Sequence, residues 1–246
     1  MSKISLVQEE EEITEVNKIF KTLMHFPGSS FSDLWDKQIE SNKFTYYLKK
    51  MESEELIEKK EDGYFLTLKG KSVATTVSGE TGQSKKRPYV ALLLIIKKGE
   101  KYILYHRLKE PYYDNWGFPG AKVEYGEEIL ASAKRELLEE TGLNGEGKII
   151  AVQNCLTIND KKIFGHMTQF FVLFDDVNGK LICESREGTY QWATKEKILS
   201  QKNLFPDVPE AIKIACKGKF RVMEIKLIQE NEKFTSIETN DIWKEK

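Results

Sequence analysis

A polar stretch at residues 76–88, TVSGETGQSKKRP, cuts this chain into two parts with different hydrophobic periods. Its Gly and Ser residues and its closing Pro read as a linker. Ahead of it apolar residues recur at helical spacing, and behind it strand-like runs dominate. A length of 246 residues accommodates two modest domains. The expected division is residues 1–80, a linker at 81–88, a larger domain at 89–218 and a C-terminal extension at 219–246. Apolar residues at 40% and charged residues at 31% suit a globular protein rather than a disordered one. The longest apolar run, residues 89–96, is far shorter than the ~20 residues of a membrane-spanning helix. The start, MSKISLVQEEEE, lacks the apolar core and cleavage site of a secretion signal. Cys155, Cys183 and Cys216 form no C-x-x-C pair, which disfavours a disulfide framework and a structural zinc site. A cytoplasmic protein with no membrane partner is therefore expected.

In the first part, Ile13, Val16, Phe20 and Met24 predict an amphipathic helix stopped by Pro27-Gly28. The acidic residues 9–12 read as its solvated start. Ser30 or Ser32 can cap a short helix through Leu34 and Trp35. A third helix carries Phe44, Tyr47, Leu48 and Met51 on one face, with Lys43, Lys49 and Lys50 elsewhere. Leu56-Ile57 and residues 64–68 then read as a β-hairpin with Asp62-Gly63 at its tip. Three short helices and a hairpin are the layout of a winged helix-turn-helix. Residues 44–70 resemble bacterial and archaeal winged-helix regulators, including their L-T-x-x-G close. That resemblance implies double-stranded DNA as a partner, with Lys43, Lys49 and Lys50 on phosphates and Lys59 and Lys60 nearby. Against it, residues 1–86 carry a net charge of −2, and Lys is the usual solvating residue here, at 33 Lys to five Arg. On that reading the domain serves dimerisation, as a homodimer, or protein contact.

The second part opens with strands expected at 89–97 and 102–107. The stretch Trp116-Gly117-Phe118-Pro119-Gly120 precedes a helix at about 127–141. Strands follow at 148–158, 162–175 and 189–192, then helices starting near Thr194 and Asp207. That order suggests an α+β or α/β sandwich. The tail, with alternation at 220–229 and 234–243, reads as an extra hairpin.

The chemistry is concentrated in the helix. Glu136, Glu139 and Glu140 stand at i, i+3 and i+4, so their carboxylates share one face within ~6 Å. Their repulsion calls for a cation. Lys134 and Arg135 are sequence neighbours, and adjacent side chains point elsewhere on a helix. Magnesium or manganese suits such oxygen donors, whereas the alternative is an ordinary solvated Glu-rich face. Ile129, Ala133 and Leu137 form the packing face, and Gly142 falls where a left-handed cap is expected.

Glu127, seven residues, then Arg135-Glu136-Leu137-x-Glu139-Glu140-x-Gly142-Leu143 resembles the box of the Nudix hydrolases, G-x5-E-x7-R-E-U-x-E-E-x-G-U with U aliphatic. Trp116-x-Phe118-Pro119-Gly120 and Val123-Glu124-x-Gly126 fit the family's lead-in, and the resemblance covers about residues 88–218. It implies a Nudix α/β/α sandwich with a mixed sheet, preceded here by the small winged-helix domain. It also implies divalent-metal-dependent hydrolysis of a nucleoside diphosphate linked to another moiety, with magnesium or manganese as cofactor. By resemblance, Glu136, Glu139, Glu140 and the Gly120 carbonyl hold the metal, and Arg135 and Glu127 form an orienting pair. Glu139 is also a catalytic candidate. Glu187 is the leading general-base candidate from a later loop, with Glu184 second. Arg107 and Trp116 are the substrate-binding candidates. Tyr112, Tyr113 and Trp116 could stack on a base or pack beneath the loop. His25, His106 and His166 read as structural.

One position departs from the pattern, Ala121 where the box opens with Gly. A Cβ there strains the loop if φ is positive and is nearly neutral otherwise. The competing function is a transcriptional regulator whose Nudix domain senses a nucleotide metabolite without hydrolysing it. The intact glutamates favour catalysis.

Overall fold

The computed structural model describes residues 3–78 and 86–245, with side chains from residue 14 onward. The expected linker residues 79–85, and the side chains of Ile13 and of residues 9–12, lie outside the described residues. The chain divides into two compact units, Met1–Lys86 and Arg87–Lys246.

The first unit runs α1 (Lys3–His25), α2 (Phe31–Leu34), α3 (Ser41–Ser53), β1 (Ile57–Lys60), β2 (Gly63–Leu66) and α4 (Leu68–Ala74). The face that α1 buries is centred on Ile19, Phe20 and Leu23, with Val16 and Met24 only partly covered. Ser30 caps α2: its side chain accepts from Asp33 N–H, while Asp33 accepts from Ser30 N–H at 2.9 Å. On α3 the buried face is Phe44, Tyr47, Leu48 and Met51. The hairpin turns at Glu61-Asp62, because Lys60 already pairs with Gly63. Sequence periodicity missed α4, which is too short to show a period. Thr67 caps it by accepting from Gly70 N–H at 3.0 Å. A Cβ on Gly70 would lie 1.9 Å from the Leu56 carbonyl oxygen, so this close approach admits only glycine.

The second unit comprises β3 (Tyr89–Lys98), β4 (Lys101–Arg107), β5 (Trp116–Gly117), β6 (Gly120–Lys122), α5 (Ile129–Thr141), β7 (Leu143–Gly145), β8 (Lys148–Asn159), β9 (Lys162–Phe174), β10 (Val177–Gly179), β11 (Gly188–Thr194), α6 (Lys195–Leu199), α7 (Val208–Lys217), β12 (Arg221–Glu230) and β13 (Lys233–Lys244). Its main sheet follows the order β11-β4-β3-β9-β8-β12-β13, with β5 on β4 and β6 on β3. β3 runs parallel to β9 and β12 parallel to β8, while the other pairs are antiparallel. β7 and β10 form a separate two-stranded sheet. The continuous apolar run of β3 follows from burial on both faces. Leu92, Leu94 and Ile96 pack with Ala133 and Leu137 of α5, whereas Leu93 and Ile95 pack with Ala211, Ile212 and Ile214 of α7.

The tail forms the expected hairpin, β12 with β13, and that hairpin joins the main sheet. β12 is an interior strand, paired with both β8 and β13, and its Met223, Ile225 and Leu227 belong to the α7-side core. Among the described residues no helix is long and apolar enough to cross a membrane.

Candidate active site

The site is assembled where β6 leads through a loop into α5. β6 is anchored on β3, with Ala121 opposite Leu92 and Gly120 opposite Leu93. Ala121 is not among the residues with positive φ, so the methyl group that replaces the pattern's glycine costs the loop no left-handed strain. Gly142 ends α5 at φ 69° with its N–H on the Leu138 carbonyl. Ala133 and Leu137 are fully buried, which turns the glutamate face of α5 away from the core.

Arg135 organises that face. Its Nε and Nη2 donate to the two oxygens of Glu127, each at 2.8 Å, a bidentate pair. Its Nη1 donates to Glu136 at 2.8 Å and to Glu139 at 2.9 Å. The i+1 spacing had directed Arg135 away from Glu136. The length of the side chain and its planar fork overcome that, so Arg135 itself offsets part of the glutamate repulsion. The guanidinium holds the Glu127 carboxyl down to about 2.

Glu140 lies differently. Burial, then the Glu136 and Glu187 carboxylates, push its pKa up to about 7, opposed by Lys109 and the nearby Tyr190 hydroxyl. Glu187 is ion-paired with Lys109. Its carbonyl accepts from Leu108 N–H and from the Tyr105 hydroxyl, each at 2.8 Å. Glu184 is exposed and bridges through its backbone to Thr189.

Five carboxylates, those of Glu127, Glu136, Glu139, Glu140 and Glu187, thus meet the two cations Arg135 and Lys109. That excess of negative charge on oxygen donors fits magnesium or manganese. Among the described residues, however, no three acidic, His or Cys side chains converge on one point. Arg135 draws Glu136 and Glu139 towards itself. Metal ligation by the three glutamates requires Arg135 to release those two while it keeps Glu127.

The two substrate-binding candidates are engaged within the protein. Arg107 Nε donates to the Pro111 carbonyl at 2.6 Å and Nη2 to that of Glu110 at 3.2 Å, which fastens the loop after β4. Trp116 stacks on His106 with ring centroids 4.0 Å apart and planes 3° from parallel. His106 also pairs with Asp114 at 2.7 Å. Tyr112 packs against Phe164, Phe205 and Phe234 rather than standing open, whereas Tyr113 is exposed.

Sequence reading missed Lys109, Tyr105 and Tyr190, which reach Glu140 and Glu187 only through the pairing of β4 with β11. It also missed a buried polar line beneath α7. Gln153 Nε2 donates to Gln169 at 2.6 Å and to Asp207 at 3.3 Å. Gln153 Oε1 has no hydrogen-bond partner among the described residues.

A NUDIX domain model matches residues 85–214. The chain is 37% identical over 106 residues to an 8-oxo-dGTP diphosphatase of Buchnera aphidicola, covering 42% of this chain and 74% of that protein. It is 30% identical over 122 residues to an ADP-ribose pyrophosphatase of Methanocaldococcus jannaschii, covering 48% and 71%. A MutT protein from Bacillus halodurans superposes with a TM-score of 0.49 at 20% identity, over 62% of this chain and 97% of that one. A glutamate-rich helix behind a β-anchored loop, a family model spanning more than half of the chain and relatives that are pyrophosphatases together make this chain a member of the NUDIX family, a Nudix-type pyrophosphohydrolase.

Proposed function

We propose that the chain cleaves the pyrophosphate of a nucleoside diphosphate linked to another moiety, using magnesium or manganese held by Glu136, Glu139, Glu140 and the Gly120 carbonyl. The observation that carries this reading is the unbalanced negative charge around Glu140, where Glu136 and Glu187 crowd a half-buried carboxyl. A bound divalent cation would neutralise the pyrophosphate and ease the approach of water. Arg135 keeps Glu127 in a fixed bidentate grip, which sets the loop against α5. Glu187 takes the proton from the attacking water, and its ion pair with Lys109 fixes its carboxylate.

The test is turnover by the purified chain with magnesium, using 8-oxo-dGTP, ADP-ribose, dinucleotides and nucleotide sugars as substrates. The first two are the compounds named for the relatives. Glu139→Gln is expected to fold normally and lose turnover by about two orders of magnitude or more, because it removes a ligand charge. Unchanged turnover would remove Glu139 from the mechanism. Nucleotide binding without cleavage by the parent chain would favour a sensor.

For the first unit, a winged helix-turn-helix that binds double-stranded DNA is the reading we infer. It is supported by the surface of α3, where Tyr46, Lys49, Lys50 and Ser53, with Glu54 beside them, line a depression of about 410 Å³. Lys59 and Lys60 lie over the rings of Tyr64 and Phe65 on the hairpin. Lys49→Glu combined with Lys50→Glu is expected to weaken binding for all sequences alike and to flatten its salt dependence by about two phosphate contacts. An unchanged salt slope would assign this face to another role.

A further inference from the structure

Lys109 and Glu187 flank one end of the β4–β11 ladder. Leu108 N–H donates to the Glu187 carbonyl at 2.8 Å, one step beyond the last pair of that ladder, Arg107 with Gly188. The loop that follows is clasped by Arg107. Its Nε and Nη2 hold the Pro111 and Glu110 carbonyls, and its own carbonyl accepts from Asp114 N–H at 2.9 Å. Lys109 is thus carried on a braced turn, and its ammonium forms an ion pair with the Glu187 carboxylate. Contacts on either side set this pair beside α5. Ile182 N–H donates to the Thr141 carbonyl at 2.8 Å, so the segment from 182 to 187 starts at the helix end. The Tyr105 hydroxyl donates to the Glu187 carbonyl, and its buried ring packs in one cluster with Ala133 and Leu137 of α5. Leu137 and Glu140 are neighbours on the helix surface at i, i+3.

We infer that Lys109 is a phosphate-binding residue: while paired with Glu187, its ammonium donates to an oxygen of the substrate pyrophosphate and so keeps the base beside the group that water attacks. The inference rests on the pyrophosphate-cleaving reading above and deepens it. A pyrophosphate diester carries a negative charge on each phosphoryl group, and the carboxylates of the site repel it. A divalent cation offsets part of that repulsion, and a fixed ammonium beside the base offsets more. The other cations around the site are committed. Arg135 places Nε, Nη1 and Nη2 on Glu127, Glu136 and Glu139, and Arg107 holds backbone carbonyls. Lys134 pairs with Glu146, and the Lys122 ammonium lies over the Tyr89 ring, 5.1 Å from its centroid. Lys109 differs, because an ammonium has three N–H donors and one carboxylate oxygen does not use them all. Its side chain is 38% exposed, so a ligand reaches it without opening the loop.

The test is binding of imidodiphosphate, a P–N–P analogue of pyrophosphate, to the full chain with Mg2+, read by isothermal titration calorimetry. The proteins are wild type, Lys109→Met, Lys109→Arg, Lys109→Met combined with Glu187→Gln, and Glu139→Gln. Lys109→Met keeps most of the side chain's length, and the ion pair it removes is exposed, so thermal unfolding should stay close to wild type. The expected result is a loss of affinity of about tenfold or more in Lys109→Met, the scale of one hydrogen bond to a charged group. Lys109→Arg should recover most of it, and the double variant should stay well below wild type. Wild-type affinity in the double variant would overturn the inference, since Lys109 would then act only by screening Glu187 from the anion. Wild-type affinity in Lys109→Met alongside a loss in Glu139→Gln would also overturn it and leave the metal-dependent reading standing. Absence of binding by wild type would overturn the pyrophosphate reading itself, and the inference with it.

Discussion

Asp207 shows how much one buried side chain can weigh. It sits at the start of α7, 6% exposed, with Gln153 Nε2 3.3 Å away and no capping bond from its own side chain. Burial raises its pKa above the usual carboxylate value. The folded state therefore keeps a proton that the unfolded chain releases, and stability falls as pH rises through the unfolded value. Asp207→Asn removes that loss while keeping an oxygen for Gln153 to donate to. The variant is expected to be more stable than wild type at pH 7, by about 1–3 kcal/mol. The gain should fade as pH falls to about 4 and below, where the carboxyl is protonated in both states. Denaturant unfolding of both proteins at the two pH values checks this, and an equal difference at each would contradict it. Sequence spacing had identified the start of α7 near Asp207, but no local pattern shows that Gln153 of β8, itself bonded to Gln169 of β9, meets it.

Elements begin and end where local chemistry permits. Thr67 and Gly70 make α4 possible, the first by capping and the second by its bare Cα beneath the Leu56 carbonyl. Gly70→Ala forces that backbone apart and should cost at least about 1–3 kcal/mol, seen as a lower melting temperature of the first unit. An unchanged melting temperature would mean that the approach relaxes freely. The two register shifts along the hairpin leave Thr235 and Ile242 as extra residues on β13. They bulge the outermost strand of the main sheet, a device that discourages a neighbouring chain from extending it. The helix α5 was legible from spacing alone, because its glutamates, its packing face and its Gly142 cap are all local features. The reach of Arg135 to Glu136 was not, since it depends on a rotamer that Glu127, eight residues away, helps to fix.

Across the second unit, the tail is part of the core. Met223, Ile225 and Leu227 are each less than 5% exposed, and burying three such side chains contributes roughly 5–8 kcal/mol. That is comparable to the whole net stability of a typical domain, about 5–15 kcal/mol. A chain ending at Gly218 should therefore lose the cooperative unfolding transition of the second unit, measured by thermal denaturation. A transition unchanged by the truncation would show β12 and β13 to be dispensable.

The sequence by itself determined the elements whose cause lies within a few residues: the twice-buried run of β3, the amphipathic α5 with its i, i+3, i+4 carboxylates, and the Nudix box that names the family. These follow from backbone period and capping, which act over one or two turns. Tertiary structure alone decided which distant groups meet. Tyr105 reaches Glu187 across 82 residues of sequence, Gln153 reaches Asp207 across 54, and β12 enters the sheet beside β8. Those contacts are set by strand register and burial of whole faces. A register is a collective property of the sheet, and its members carry no local mark of the partners they will find.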